Sequence, residues 1–154
     1  GSEMCIRDRR KDFTVHEAQI YEAKLIGADA ILLITALLED SVLREYLAAA
    51  KSIGLDVLTE VHDEAELETV LKAGAEIIGV NNRNLKDFTV DFNNSLRLKK
   101  LVPPGITFVA ESGIKTRDDI VKLQNAGADA VLIGEMLMRS GDAAGALKQL
   151  AGVE

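Results

Sequence analysis

Cysteine occurs once in this chain, at Cys5, histidine and proline twice each, and acidic side chains outnumber basic ones. A single thiol excludes an intramolecular disulfide framework and fits a reducing compartment. Two histidines and one cysteine cannot be assembled by spacing into a zinc-type ligand set, so no metal is expected. The 18 Lys and Arg against 25 Asp and Glu leave a net charge of −7. That is the wrong sign for a nucleic-acid surface, which wants a basic stripe along the phosphates. A small phosphorylated ligand is not excluded, because it needs only a local group of donors. No apolar run approaches the ~18 residues of a membrane span, so no membrane association is expected. No long apolar leader core is present either, and a cytoplasmic location is the expectation. What remains, 154 residues at 47% hydrophobic, suits one globular unit with a sizeable core.

The first ten residues, GSEMCIRDRR, have no helical or strand period and are rich in charge. They read as a foreign leader, 1–10, although a strand is expected just before Lys11. From there on the pattern is regular. Helical spacing covers His16–Ile26, Val42–Ile53 after Asp40 or Ser41, and Glu64–Ala73 after Asp63. A further helix opens at Asn94 or Ser95 and is stopped by Pro103 and Pro104. Another starts at Thr116 or Arg117, and a last one covers Ala143–Leu150. Between them lie short apolar runs of strand length: Ala30–Ile34, Val57–Val61, Ile77–Val80, Ile106–Ala110 and Ala130–Ile133.

One phrase returns three times, as IGADAILLI, AGAEIIGV and AGADAVLIG: a helix end, a glycine, an acid and a buried strand. Its glycines, Gly27, Gly74 and Gly127, fall 47 and 53 residues apart, two βα units each time. Alternation of this kind predicts a parallel sheet with right-handed crossovers. A β/α barrel allots about 31 residues to each unit. This chain therefore holds about five units and a damaged strand. The predicted fold is α/β, of (β/α)8 TIM-barrel type, incomplete and lacking the first two βα units.

In such a barrel the chemistry sits where strands end. The polar residues there are Lys11, Glu60, Asn81, Asn82, Glu111 and Ser112. Glu60 and Glu111 interrupt apolar strands, and a buried carboxylate is costly unless a site or a partner requires it. Lys11 is equally readable as a surface lysine. Asn81 and Asn82 are also turn formers. Lysine facing glutamate across a closed pocket is a plausible acid–base pair. His16 and His62 are assigned structural places, at a helix start and beside the helix cap Asp63. Gly113 and Gly134 end the last two strands, where bare backbone N–H groups can approach an anion and EMLMR can begin a short helix. Tight turns alone would also account for them.

The runs KDF, EAQIYEA, GADAILLI, LTEVHDEAELE, IIGVNNRNLKDFTVD, FVAESGI and VLIGEMLMR together resemble indole-3-glycerol phosphate synthase, from Lys11 to about Leu150. The resemblance implies a decarboxylating ring closure in tryptophan biosynthesis. The substrate would be 1-(2-carboxyphenylamino)-1-deoxyribulose 5-phosphate, with neither cofactor nor metal. It casts Lys11 as the general acid at the substrate carbonyl and Glu60 as a participant in the proton transfers of dehydration. Phe13 would line the aromatic part of the pocket, while Asn81 and Glu111 position the substrate. Ser112, Gly113, Gly134 and Glu135 would hold the phosphate, Glu135 through its backbone N–H because its side chain is an acid. The family's first two strands and N-terminal helical extension have no counterpart here. On that basis 11–154 is expected to be a partial barrel, inactive alone and prone to self-association through open sheet edges. The alternatives are a non-catalytic phosphate-binding half-barrel module and another phosphate-binding TIM-barrel enzyme.

Overall fold

The computed structural model describes residues 7–84 and 87–153. Cys5 and most of the expected leader thus lie outside the described residues. The chain divides into two compact units, one running to Val61 and including Ala65–Ile78, the other made of His62–Glu64 and Gly79 onward.

In the first unit, strands β1 (Arg9–Arg10), β2 (Ala30–Ile34) and β3 (Asp56–Val61) lie in sequence order. They pair in parallel, with Arg10 beside Ile31 and Ile34 beside Glu60. Helices α1 (Ala18–Leu25), α2 (Asp40–Ser52) and α3 (Glu64–Ala73) alternate with them. The expected strand before Lys11 exists but is only two residues long, Arg9–Arg10, within the stretch read as leader. Helical spacing decides what is buried: Leu43, Tyr46 and Ala50 on α2, Leu67 and Val70 on α3. Burying a side chain of leucine size is worth about 1.5–3 kcal/mol. The helix expected from His16 begins at Ala18 instead. Gln19 Oε1 accepts from the N–H groups of Val15 and His16, and His16 Nδ1 accepts from Ala18, so this stretch is a capping turn.

The second unit takes up strand β4 (Ile77–Asn81) from Gly79 onward and carries β5 (Thr107–Glu111) and β6 (Ala130–Leu132), again in sequence order. β5 and β6 run parallel with Glu111 beside Leu132. Helices α4 (Asn93–Lys99), α5 (Arg117–Asn125), α6 (Glu135–Arg139) and α7 (Ala143–Ala151) belong to it. Phe108 and Ala110 of β5, Leu98 of α4 and Leu123 of α5 are buried, whereas Val131 of β6 is 36% exposed. α5 opens with a capping box in which the Thr116 hydroxyl accepts from Asp119 N–H and the Asp119 carboxylate accepts from Thr116 N–H. Among the described residues no helix is long and apolar enough to cross a membrane.

The recurrent phrase has a physical meaning in both units. Its glycine takes positive φ, +89° at Gly27 and +85° at Gly127. The residue after it then donates back to the helix, Ala28 to Ala23 and Ala128 to Leu123, each at 3.0 Å. This is a Schellman stop, which a Cβ would strain. The acid that follows clamps the start of the adjacent strand. Asp29 donates its N–H to the Asp8 carbonyl and accepts the Asp8 N–H on its carboxylate. Asp129 treats Phe108 the same way. Helix end, strand start and strand pairing are thereby set by four consecutive residues.

Candidate functional site

Each unit contributes polar residues at the C-terminal ends of its strands. In the first unit Lys11 directly follows β1 and is exposed. Continuing the β1–β2 register by one residue sets Lys11 beside Leu32, on the face shared by Leu58 and Glu60. Two strand spacings separate β1 from β3, about 10 Å of backbone. Glu60 is 4% exposed, and its carbonyl accepts the Thr35 hydroxyl at 2.8 Å, which ties β3 to the turn after β2. The segment after Lys11 is pinned by Thr14, whose hydroxyl donates to the Leu32 carbonyl at 3.0 Å. Phe13, expected to line an aromatic pocket, is 59% exposed, and its carbonyl accepts from the Gln19 side chain.

The second unit draws its residues closer. Asn81 ends β4, and its Oδ1 accepts from Arg83 N–H at 3.0 Å and from the Ser112 hydroxyl at 2.8 Å. Asn82 is buried; its N–H donates to the Glu111 carbonyl and its side-chain amide to the Ser112 carbonyl. Glu111 is buried at the end of β5, next to Leu132 of β6. Ser112 and Gly113 then adopt consecutive positive φ, +65° and +75°. For serine this conformation costs roughly 1–2 kcal/mol, so its surroundings must impose it. At Gly113 a side chain is strained by the positive φ, and a Cβ there would stand 2.6 Å from Val90 Cγ1, which would have to move. Backbone N–H groups in a turn can line a concavity in which an anion is held. Two residues past Leu132, Gly134 is the N-cap of α6, and Glu135 is its first residue.

Arg83 is the neighbour that sequence reasoning did not single out. Its guanidinium bonds the Glu135 carboxylate at 2.6 Å, and Glu135 also meets Arg139 at 3.3 Å. The Glu135 side chain is thus committed to cations, which leaves its backbone to the turn. The sequence signal for Arg83 was a cation between asparagines directly after a strand. His62 accepts from Asn94 through its carbonyl, a structural contact.

Parallel strands alternating with helices, and polar residues gathered where the strands end, define a protein of the β/α-barrel class. Among solved structures the chain is similar to 3-hexulose-6-phosphate synthase from Salmonella typhimurium, with a TM-score of 0.75 at 18% identity over 91% of this chain and 68% of that one. It is also similar to a mandelate oxidase mutant, with a TM-score of 0.69 at 19% identity over 95% of this chain and 56% of that one. At such identities the likeness shows the fold, incomplete TIM-barrel type, and nothing of the activity.

Residues 2–150 match the family model for indole-3-glycerol phosphate synthase, and the chain belongs to that family. It is 57% identical to the indole-3-glycerol phosphate synthase of Ruminiclostridium cellulolyticum, over 93% of this chain and 55% of the relative. Against that of Leuconostoc mesenteroides the identity is 54%, with the same coverage. Against that of Chlorobium limicola it is 59%, over 83% of this chain and 50% of the relative. The chain spans about half the length of these curated relatives.

Proposed function

We propose that this protein acts as an indole-3-glycerol phosphate synthase, closing the indole ring on 1-(2-carboxyphenylamino)-1-deoxyribulose 5-phosphate. The observation that carries the reading is the left-handed Ser112–Gly113 turn at the end of β5, beside the strand that leads to Gly134. There the substrate phosphate would meet the N–H groups of Ser112, Gly113, Gly134 and Glu135. In the first step the ring carbon bearing the carboxylate attacks the substrate carbonyl. A carbon–carbon bond forms, and Lys11 delivers a proton to the carbonyl oxygen. Carbon dioxide then leaves and restores the aromatic ring. Loss of the new hydroxyl as water completes the indole, with Glu60 taking part in those proton transfers. Asn81 and Glu111 position the substrate, and Phe13 covers its aromatic part. No cofactor or metal enters this scheme. A cytoplasmic location belongs to the same proposal, resting on the near absence of cysteine.

The test is a fluorescence assay for indole-3-glycerol phosphate in an active form of the protein. Lys11→Ala and Glu60→Gln should each lower turnover by about 10²–10⁴, the usual worth of acid–base catalysis. Near-normal turnover in either variant would remove that residue from its role.

A second reading draws on the placement of the whole proposed phosphate cradle in the second unit. In it, the chain alone holds phosphate without turnover and is open to self-association through its sheet edges. Assaying the chain alone and with the separately made N-terminal half of a relative distinguishes the two. Activity of the chain alone would discard the non-catalytic reading, and activity only on mixing would support it.

A further inference from the structure

Asn82 is 3% exposed and makes hydrogen bonds in three directions. Its Oδ1 accepts from both the N–H and the hydroxyl of Ser95, at 2.9 and 2.8 Å, in the first turn of α4. Its Nδ2 donates to the Ser112 carbonyl at 3.0 Å. Along the main chain its N–H donates to Glu111 and its carbonyl accepts from Asp91, each at 2.9 Å. Ser95 is fully buried, so α4 fixes Asn82, and Asn82 in turn fixes the far side of Ser112. Asn81 holds the same serine by its hydroxyl.

We propose that Asn82 is a positioning residue that sets the left-handed Ser112–Gly113 turn in the conformation that receives the substrate phosphate. The inference rests on the phosphate reading given above and assigns Asn82 a part in it separate from that of Asn81. The chemistry selects asparagine. One short side chain must accept twice from Ser95 and donate once to Ser112. Aspartate offers no donor, and serine is too short to span both. Nothing within Ser112 favours positive φ, so the tether supplies what a glycine would supply by itself.

The experiment titrates the ¹⁵N-labelled full chain with glycerol 3-phosphate and follows the amide signals of Ser112, Gly113, Gly134 and Glu135. In the unaltered chain these should shift and saturate together. Asn82→Asp keeps both Ser95 bonds and loses the donor to Ser112. It should weaken binding about tenfold, the worth of one well-placed hydrogen bond. The Ser112 and Gly113 signals should stop following those of Gly134 and Glu135. Salt screens a carboxylate at this buried position only weakly, so the uncharged Asn82→Ser, which also lacks the amide, should show a comparable loss. Ser95→Ala removes one of the two bonds that hold Asn82 Oδ1 and keeps the other, so it should lower the unfolding midpoint and weaken binding less than Asn82→Asp does. Should Asn82→Asp fail to fold, Asn82→Ser carries the same expectation without the charge. Saturable binding that is equal in the unaltered chain and the folded Asn82 variant would overturn the inference and leave the phosphate reading standing. No shift at Ser112 and Gly113 in the unaltered chain would defeat the phosphate reading and this inference with it.

Discussion

Asn81 and Asn82 carry the same side chain into different environments. Asn81 faces the turn, where its oxygen takes the Arg83 N–H and the Ser112 hydroxyl. Asn82 points into the unit and spends its side chain on Ser95 and Ser112. Asn81 is the last residue of β4 and Asn82 the first beyond it, and their side chains make different contacts. Gly113 is bound by geometry of another kind, with positive φ and Val90 against the space a Cβ would need. Gly113→Ala should therefore destabilise the second unit by more than about 1 kcal/mol. It should also weaken glycerol 3-phosphate binding, as read by calorimetry alongside thermal unfolding. Unchanged affinity in a folded Gly113→Ala chain would show that the turn can relax without loss. The acids divide similarly. Glu60 and Glu111 are buried in strands, while Glu135 stands in solvent between two arginines, an exposed pairing worth at most about 1 kcal/mol.

At the scale of elements, the helix ends govern where the strand-end residues come to lie. The N-cap of α5, Thr116, lies two residues beyond Ile114, and its capping box fixes how the chain leaves the Ser112–Gly113 turn. Burial works to raise the pKa of Asp119, but hydrogen bonds from Lys115 and Thr116 N–H and the Thr116 hydroxyl outweigh it and hold the carboxyl below its usual value. A carboxylate with a lowered folded-state pKa stabilises above the unfolded value, about 3.9, and that stability is lost as pH falls through the folded value. Asp119→Asn should therefore cost stability at neutral pH, by about 1 kcal/mol for a weakened cap. The difference from the unaltered chain should shrink below about pH 4, as followed by urea unfolding at several pH values. A difference independent of pH would show that the cap does not depend on charge. The Asp29 and Asp129 clamps act at the same scale, each joining a helix stop to a residue at the start of the neighbouring strand, Asp8 just before β1 and Phe108 second in β5.

For the molecule as a whole, the two units hold different parts of the proposed chemistry: Lys11 and Glu60 in the first, the Ser112–Gly113 turn and Gly134 in the second. A ligand held by its phosphate alone should therefore protect unequally. At a hundredfold excess over Kd, binding contributes about 2.7 kcal/mol to whichever structure must be intact to bind. Glycerol 3-phosphate should slow amide exchange in β5, β6 and α5 by up to about a hundredfold, leaving β1 to β3 nearly unchanged. Equal slowing everywhere would mean that the units open as one body. No slowing at all would count against the phosphate reading. The excess of acid, −7 overall, makes a general attraction for phosphate unavailable, so any protection must come from local donors.

Much of this architecture was legible before any coordinates. The alternation of helix and strand, the glycine stops and the strand-end polar residues follow from local periodicity and from the few conformations glycine alone adopts without strain. These are properties of consecutive residues, and sequence records them directly. The family motifs, read in order, carried the membership that the comparisons then showed. What sequence could not supply were relations between segments far apart in the chain. Arg83 and Glu135 lie 52 residues apart and meet only after β4, β5 and β6 are in place. The division of work between Asn81 and Asn82 was equally invisible, because two identical neighbours differ only in what each faces. His16 looked like the first residue of a helix until Gln19 closed the turn before it. Local propensity therefore determined the elements, and tertiary packing decided which polar side chain each strand end would hold and in which direction, since hydrogen bonds between distant segments exist only once the backbone is set.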